Sequence, residues 1–224
     1  MAHLADRVAA RPAKAGFAFD ALKRDIMLGT LAPGAGLTEL ELAARFQCSQ
    51  GTVREALLQL QEEGLVHRRG HRGTQVSDCT QDEAVEMFRL RDQIETAGLP
   101  RAMATPSQGL VADLESMLAG MLAAAAADDE LLLAAIDRDF HRRILRDARL
   151  PALDPILHRC LVHNHRFKIS QSRGTRDLTA TALRHRSLID AIAARDVGAA
   201  MSAMRHHIAT IVDLGPAVFP GQSQ

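Results

Sequence analysis

Apolar positions recur at helical spacing along most of the 224-residue chain, and the intervals between the runs carry turn chemistry. In FDALKRDIMLG, Leu22 and Ile26 fall on one stripe that Gly29 ends, and APGAG after it is a turn. Thr38 followed three residues later by Glu41 is a capping box, with Leu37 and Leu42 placed as a hydrophobic staple. A second helix is therefore predicted from about Thr38 to near Phe46. Ser49 is an N-cap for a third helix, whose inner face is Val53, Ala56, Leu57 and Leu60 and which Gly64 closes. LVHRR and TQVS read as short strands around GHRG, a hairpin with a basic tip. Two short helices joined by a tight turn and followed by a hairpin predict a winged helix-turn-helix.

From Ser77 to about residue 214 the period is helical throughout. Breaks at Thr105-Pro106, Asp128-Asp129, Leu150-Pro151, Gly174-Thr175 and near Asp196 leave six segments, roughly 80–104, 107–126, 129–148, 152–171, 177–195 and 197–213. The fold class expected is mainly α: a loose tail over 1–16, a winged helix-turn-helix over 17–78, an all-α helical bundle over 79–214 and a C-terminal tail over 215–224.

Composition narrows the function. The chain is 47% hydrophobic without a run approaching the roughly 18 apolar residues of a membrane span, and its N-terminus lacks the apolar core of a secretion signal. No membrane partner and a cytoplasmic location are expected. Cys48, Cys79 and Cys160 are far apart and in no CxxC arrangement, which argues against a disulfide framework and against a thiolate metal site, and they read as small buried residues. Net charge is zero, yet HRRGHRG, His67 to Gly73, holds three arginines and no acid. The lack of Trp and Tyr disfavours a single-strand binder that stacks bases on aromatic rings and leaves duplex binding open.

At the start of the third helix Gln50, Gly51, Thr52 and Arg54 are expected to point away from the Val53-Leu57-Leu60 face, toward base edges. Arg54 can donate two hydrogen bonds to guanine or clamp a phosphate, while Ser49, Thr52 and the helix N-terminal N–H groups suit phosphate oxygens. The wing adds Arg68, Arg69, His71, Arg72 and Gly73. One arginine alone would be a solvated surface residue; the cap, the spacing and the basic wing together point to double-stranded operator DNA. The stretch LAPGAGLTELELAARFQCSQGTVREALLQLQEEGLVHRRGHRGTQV resembles the DNA-binding domain of GntR-family transcriptional regulators. It departs from that pattern at Gln50, where the family usually has arginine, and at Thr52, where many relatives have proline.

In the helical region Asp137 and His141 lie four apart and share a stripe with Ile144 and Leu145. His185 precedes Leu188, Ile189 and Ile192 at helical spacing, and His207 shares a stripe with Met204, Ile208 and Ile211, whereas His206 faces elsewhere. Each histidine alone is more often a hydrogen-bonded core residue. Four inward polar groups in an apolar bundle instead suit a divalent transition metal such as zinc, with a position left for water or substrate. Phe140 reads as core, and Arg138, Arg142 and Arg143 as a solvated or interface face.

RDQIE at 91–95, DRDFH at 137–141 and RHRSLIDAIAARDVGAAMSAMRHH at 184–207 resemble the C-terminal ligand-binding domain, FCD, of the FadR subfamily of GntR regulators. The resemblance implies metal binding by Asp137, His141, His185 and His207, the same four. It also implies a small carboxylate effector completing the coordination, with Arg91 pairing to the acid; the alternative for Arg91 is an ion pair with Glu95 on its own helix. Six helices rather than seven suggest the VanR-like branch. The function expected is a homodimeric, effector-responsive transcriptional repressor. Zinc is the metal expected, with nickel or manganese as the other choices. Two alternatives stand beside it: the same regulator with a purely structural metal, and a metal-dependent hydrolase, which lacks an H-E-x-x-H glutamate and would leave the DNA-binding head unexplained.

Overall fold

The computed structural model describes the backbone of residues 5–68, 70, 73–172 and 176–209, and the side chains of these except 5–14, 171 and 172. The chain divides into two compact units, Met1–Cys79 and Thr80–Gln224. Among the described residues no helix is long and apolar enough to cross a membrane.

The first unit opens with α1 (Ala5–Met27), so the helix begins inside the stretch expected to be a tail. That stretch is rich in alanine, which favours helix, and it leads into the stripe Ala15, Ala18, Leu22 and Ile26, all buried. α2 (Glu39–Arg45) starts where the capping box placed it: Glu41 N donates to Thr38 Oγ1 at 3.3 Å, and Leu37 and Leu42 are both buried. α3 (Gln50–Glu62) is capped by Ser49, which accepts from Thr52 N at 3.2 Å. Its Val53, Ala56, Leu57 and Leu60 form the inner face. The two wing strands β2 (Val66–Arg68) and β3 (Thr74–Val76) pair antiparallel, with His67 opposite Gln75. A third strand, β1 (Gly36–Leu37), pairs with β3 to give the order β1-β3-β2. Two residues are too few to show alternation, so the pattern of the sequence does not reveal it.

The second unit is helical. α4 (Gln81–Ala104) begins at a capping box of Thr80 and Glu83 and continues through Pro100. α5 (Leu110–Ala126) and α6 (Glu130–Asp147) follow, then a 3₁₀ turn (Pro151–Leu153) and α7 (Asp154–Ser172). The expected segment 177–195 is two helices, α8 (Leu178–Leu183) and α9 (Arg186–Ala193), and α10 (Val197–Ala209) completes the described chain. The unit thus has seven α-helices among the described residues, and the count of six that suggested the VanR-like branch does not hold. No glycine or proline marks the break between α8 and α9. It comes from His185, whose backbone N and ring Nδ1 both turn back on Ala182 O, at 3.2 and 3.0 Å.

Phe88, Leu99, Leu114, Leu118, Met121, Phe140, Leu188, Ile189 and Met204 form the centre of this unit's core. α4 and α6 come close at Gly98, where a Cβ would lie 3.1 Å from Leu145 Cδ1 and 3.5 Å from Ala148 Cβ. The arginines of α6 are not the solvated face expected. Arg138 and Arg143 are buried; Arg143 pairs with Asp113 at 2.8 Å and Asp147 at 2.9 Å, and Arg142 forks onto Asp154. Asp147 lies one turn along α6, but Asp113 and Asp154 are on other elements, which spacing cannot reveal. Of the three cysteines, all free, Cys160 is buried, while Cys48 and Cys79 are only partly so.

Candidate metal centre and DNA-facing surface

Three elements of the helical unit bring four ligand-type side chains together. α6 presents Asp137 and His141 one turn apart, the α8–α9 joint presents His185, and α10 presents His207. All four are buried, and one potential ligand atom from each lies within 4.8 Å of the others. The three imidazole centroids are 4.3 to 5.7 Å apart. His206, next in sequence to His207, is exposed. Ile211, expected on the His207 stripe, lies outside the described residues.

The hydrogen bonds around the cluster set which ring nitrogen faces it. His141 Nδ1 meets Glu95 Oε2 and so carries the proton, leaving the Nε2 lone pair turned inward, 3.2 Å from His207 Nε2. His185 Nδ1 donates to Ala182 O, so a neutral ring leaves the lone pair on Nε2, which lies 3.0 Å from Asp137 Oδ1 with no hydrogen bond between them. A lone pair against a carboxylate oxygen at that distance is repulsive, and a cation between the two turns it into attraction. A carboxylate on one imidazole and a backbone carbonyl on another are the outer partners that fix histidine tautomers in metal sites.

Charge in the cluster agrees with this. Burial, with the nearby His185 and His141, pushes the His207 ring well below the ordinary imidazole value, and burial also lowers His141. Neutral rings are the ligand form. Burial by itself would raise Asp137, but the His165 ring, 2.9 Å from Oδ2, outweighs it and the carboxylate stays ionised well below its usual range. One carboxylate and three imidazoles form a donor set of the kind divalent transition metals take.

The side chains behind the four were less visible in sequence. Arg91, fully buried, places Nε on Glu95 and Nη2 at 2.7 Å from His141 Nε2, while Nη1 has no hydrogen-bond partner. The ion pair with Glu95 is thus present, and Arg91 also reaches the cluster, where it competes with a metal for one lone pair. His165, on α7, lies 2.9 Å from Asp137 Oδ2 and receives Arg138 Nη1 at its Nδ1 at 3.4 Å. A signal for it existed: Leu157, Leu161, His165 and Lys168 recur at helical spacing, and all four are buried.

In the first unit, Ser49, Gln50, Gly51 and Arg54 are exposed at the start of α3. Thr52 is not: it is 5% exposed, its hydroxyl 2.9 Å from Ser49 Oγ. It stands one turn before the buried Ala56, on the same side of the helix, so it belongs to the cap and the core rather than to the outward set. Arg54 forks onto Glu39 of α2 at 2.9 and 2.6 Å, and Arg68 of β2 reaches the same carboxylate at 3.4 Å. The Arg54 hydrogen bond, opposed by slight desolvation, holds Glu39 below the usual carboxylate range. Gly73 is exposed with a φ of +78°, a conformation suited to glycine in the wing turn. Arg69, His71 and Arg72 lie outside the described residues.

Comparison with known proteins matches both units. Residues 14–76 match the family described as bacterial regulatory proteins, gntR family, and residues 86–210 match the FCD domain. A Paenarthrobacter nicotinovorans protein named "Probable D-xylose utilization operon transcriptional repressor" is 29% identical over 191 residues, 85% of this chain and 83% of that one. The HTH-type transcriptional repressor RspR of Escherichia coli K12 is 39% identical over 89 residues, 39% of each chain. Among solved structures, E. coli McbR/YncC superposes with a TM-score of 0.70 at 21% identity, over 88% of this chain and 96% of that one, a likeness of fold.

Proposed function

On the premise that the chain belongs to the gntR family of bacterial regulatory proteins and carries an FCD domain, we propose that it is a metal-dependent repressor whose operator binding answers to a small organic acid. A winged helix-turn-helix head and a helical FCD domain make it a transcriptional regulator, and its family and relatives are regulators rather than enzymes, which leaves the hydrolase alternative without support. Asp137, His141, His185 and His207 would hold a divalent ion, with zinc as the first choice. The observation that carries this is His185 Nε2, a buried lone pair 3.0 Å from a carboxylate and without a hydrogen bond. A bound ion would supply an open coordination position for a carboxylate oxygen. The chain's own contribution is to fix the rings, through Glu95 and Ala182 O, and to keep water out by burial.

In this reading, two copies bind a pseudo-palindromic duplex through the α3 N-terminus and the wing, with Gln50 altering base preference where an arginine is usual. The acid lowers operator affinity by favouring the state that binds DNA less well. The test is fluorescence anisotropy on duplexes from the gene's own upstream region against random duplex, with zinc-loaded and chelator-stripped protein and a panel of small carboxylates. Salt-sensitive binding selective for one upstream fragment is expected, weakened by an acid only when zinc is present. Equal affinity for random duplex would sink the regulator's operator role, and an acid response that survives removal of the metal would favour a purely structural ion.

A further inference from the structure

Glu39 is an acid on the surface that the operator-binding reading turns toward a polyanion. Its place in the first turn of α2 suits the helix dipole, yet its side chain reaches to two other elements. Oε1 accepts from Arg54 Nε of α3 at 2.9 Å and from Arg68 Nη2 of β2 at 3.4 Å, and Oε2 accepts from Arg54 Nη2 at 2.6 Å. A carboxylate has about four acceptor sites, so Oε2 keeps one.

The fork leaves a defined remainder on Arg54. A guanidinium carries about five N–H donors in one plane. Glu39 takes Nε and one N–H of Nη2, and the rest, on Nη1 and Nη2, lie at the far end of the side chain. That end matches the O6 and N7 acceptors of guanine. Arg54 is therefore presented end-on, with its plane fixed by a carboxylate one hydrogen bond away. Where Arg54 meets a guanine edge, Glu39 arrives at the same depth of the groove, beside the neighbouring base pair. A carboxylate there is selective. Guanine and thymine turn acceptors toward it, and adenine sets its N7 acceptor next to its amine. Cytosine alone offers an amino donor with no acceptor of its own.

We propose that Glu39 reads the N4 amine of a cytosine in the base pair next to the guanine read by Arg54, so that one ion pair senses two adjacent pairs. This rests on the operator-binding reading above. It also gives the acid a use: against a duplex without that cytosine Glu39 meets only acceptors and phosphates, and lowers affinity for the wrong sequence.

The experiment is competition anisotropy with the full-length protein on the upstream fragment it selects, carried through every single base-pair exchange of a half-site, for wild type, Arg54→Ala and Glu39→Ala. Arg54→Ala should lose its preference at one G·C pair. Glu39→Ala should lose it at an adjacent pair, where exchange of C·G for T·A costs wild type about five-fold or more, and should bind random duplex more tightly than wild type does. Wild type indifferent to exchange at both pairs flanking the Arg54 guanine would overturn the proposal, whether or not the variants fold. A cytosine preference that persists in Glu39→Ala would do the same, as would an Arg54→Ala profile identical to wild type. Loss of the guanine preference alone in Glu39→Ala would also overturn it, since that marks a residue that positions Arg54 and reads no base. Failure of wild type to select any upstream fragment would remove the operator-binding reading together with it.

Discussion

The first unit buries only two polar residues among those described, Thr52 and Thr74, and neither is ionisable. The helical unit buries Arg91, Glu95, Asp137, His141, His165, Lys168, His185 and His207 within reach of one another's charge. Both units carry surface ion pairs, such as Arg54 on Glu39, 54% exposed, where water and salt screen it, and Arg186 on Glu115. The Arg91–Glu95 pair behind the candidate metal centre is dry. A surface meant for phosphates needs charges that a polyanion can reach, and a small-ligand site needs charges that bulk water cannot reach.

Paired substitutions test that division most strongly. His185→Ala should lower zinc affinity by more than about 100-fold, beyond the roughly 10–100-fold typical of losing an outer partner of a metal ligand, while unliganded protein still binds its operator. Arg54→Ala should weaken operator binding by about 5- to 150-fold, from the roughly 1–3 kcal/mol of a bidentate base contact, and leave bound zinc, measured by atomic emission, untouched. Loss of DNA binding in His185→Ala, or of zinc in Arg54→Ala, would break the division.

Acid should act on the two units unequally. His165 is pushed down to about 3, chiefly by burial, and His207 well below its ordinary value. Below roughly pH 6.5 the unfolded chain takes up protons that these folded rings refuse, so stability falls as pH falls, by about 1.4 kcal/mol per pH unit for each ring. The described part of the first unit buries no histidine. In chelator-treated protein taken from pH 7 to 5, hydrogen exchange should therefore rise in α6, α7, α9 and α10 before α3. Equal rises would mean that buried imidazoles do not set the acid response.

The smallest effect expected is that of Glu39→Gln. The pair is solvent-exposed, so melting should hardly change, but Arg54 and Arg68 lose the carboxylate they share. Non-specific affinity for random duplex should rise a few-fold, and the preference for the operator should narrow as Arg54 loses its orientation. An unchanged ratio of specific to non-specific affinity would show that Glu39 does not position Arg54.

The first unit was legible because its signals are local. Thr38 with Glu41, Ser49, and the stripe from Val53 to Leu60 each specify structure within about one or two helical turns. The error at Thr52 is one of side: it neighbours the exposed Gly51, but it is one turn from Ala56. In the helical unit, period 3.6 was enough to turn Asp137, His141, His185 and His207 inward. What it could not give are partners far apart in sequence: Glu95 behind His141, His165 behind Asp137, and Asp113 on Arg143. Nor could it find the break before α9, where residues of good helical propensity yield to one imidazole.

That break gives His185 two duties in one ring. Nδ1 closes the turn onto Ala182 O, and Nε2 faces Asp137 across the centre. The turn between α8 and α9 and the candidate ion site therefore share one five-membered ring. Tilting the imidazole to suit a ligand must either stretch the turn or swing α9, so a displacement of a fraction of an ångström at the donor atom becomes a change in the direction of the backbone.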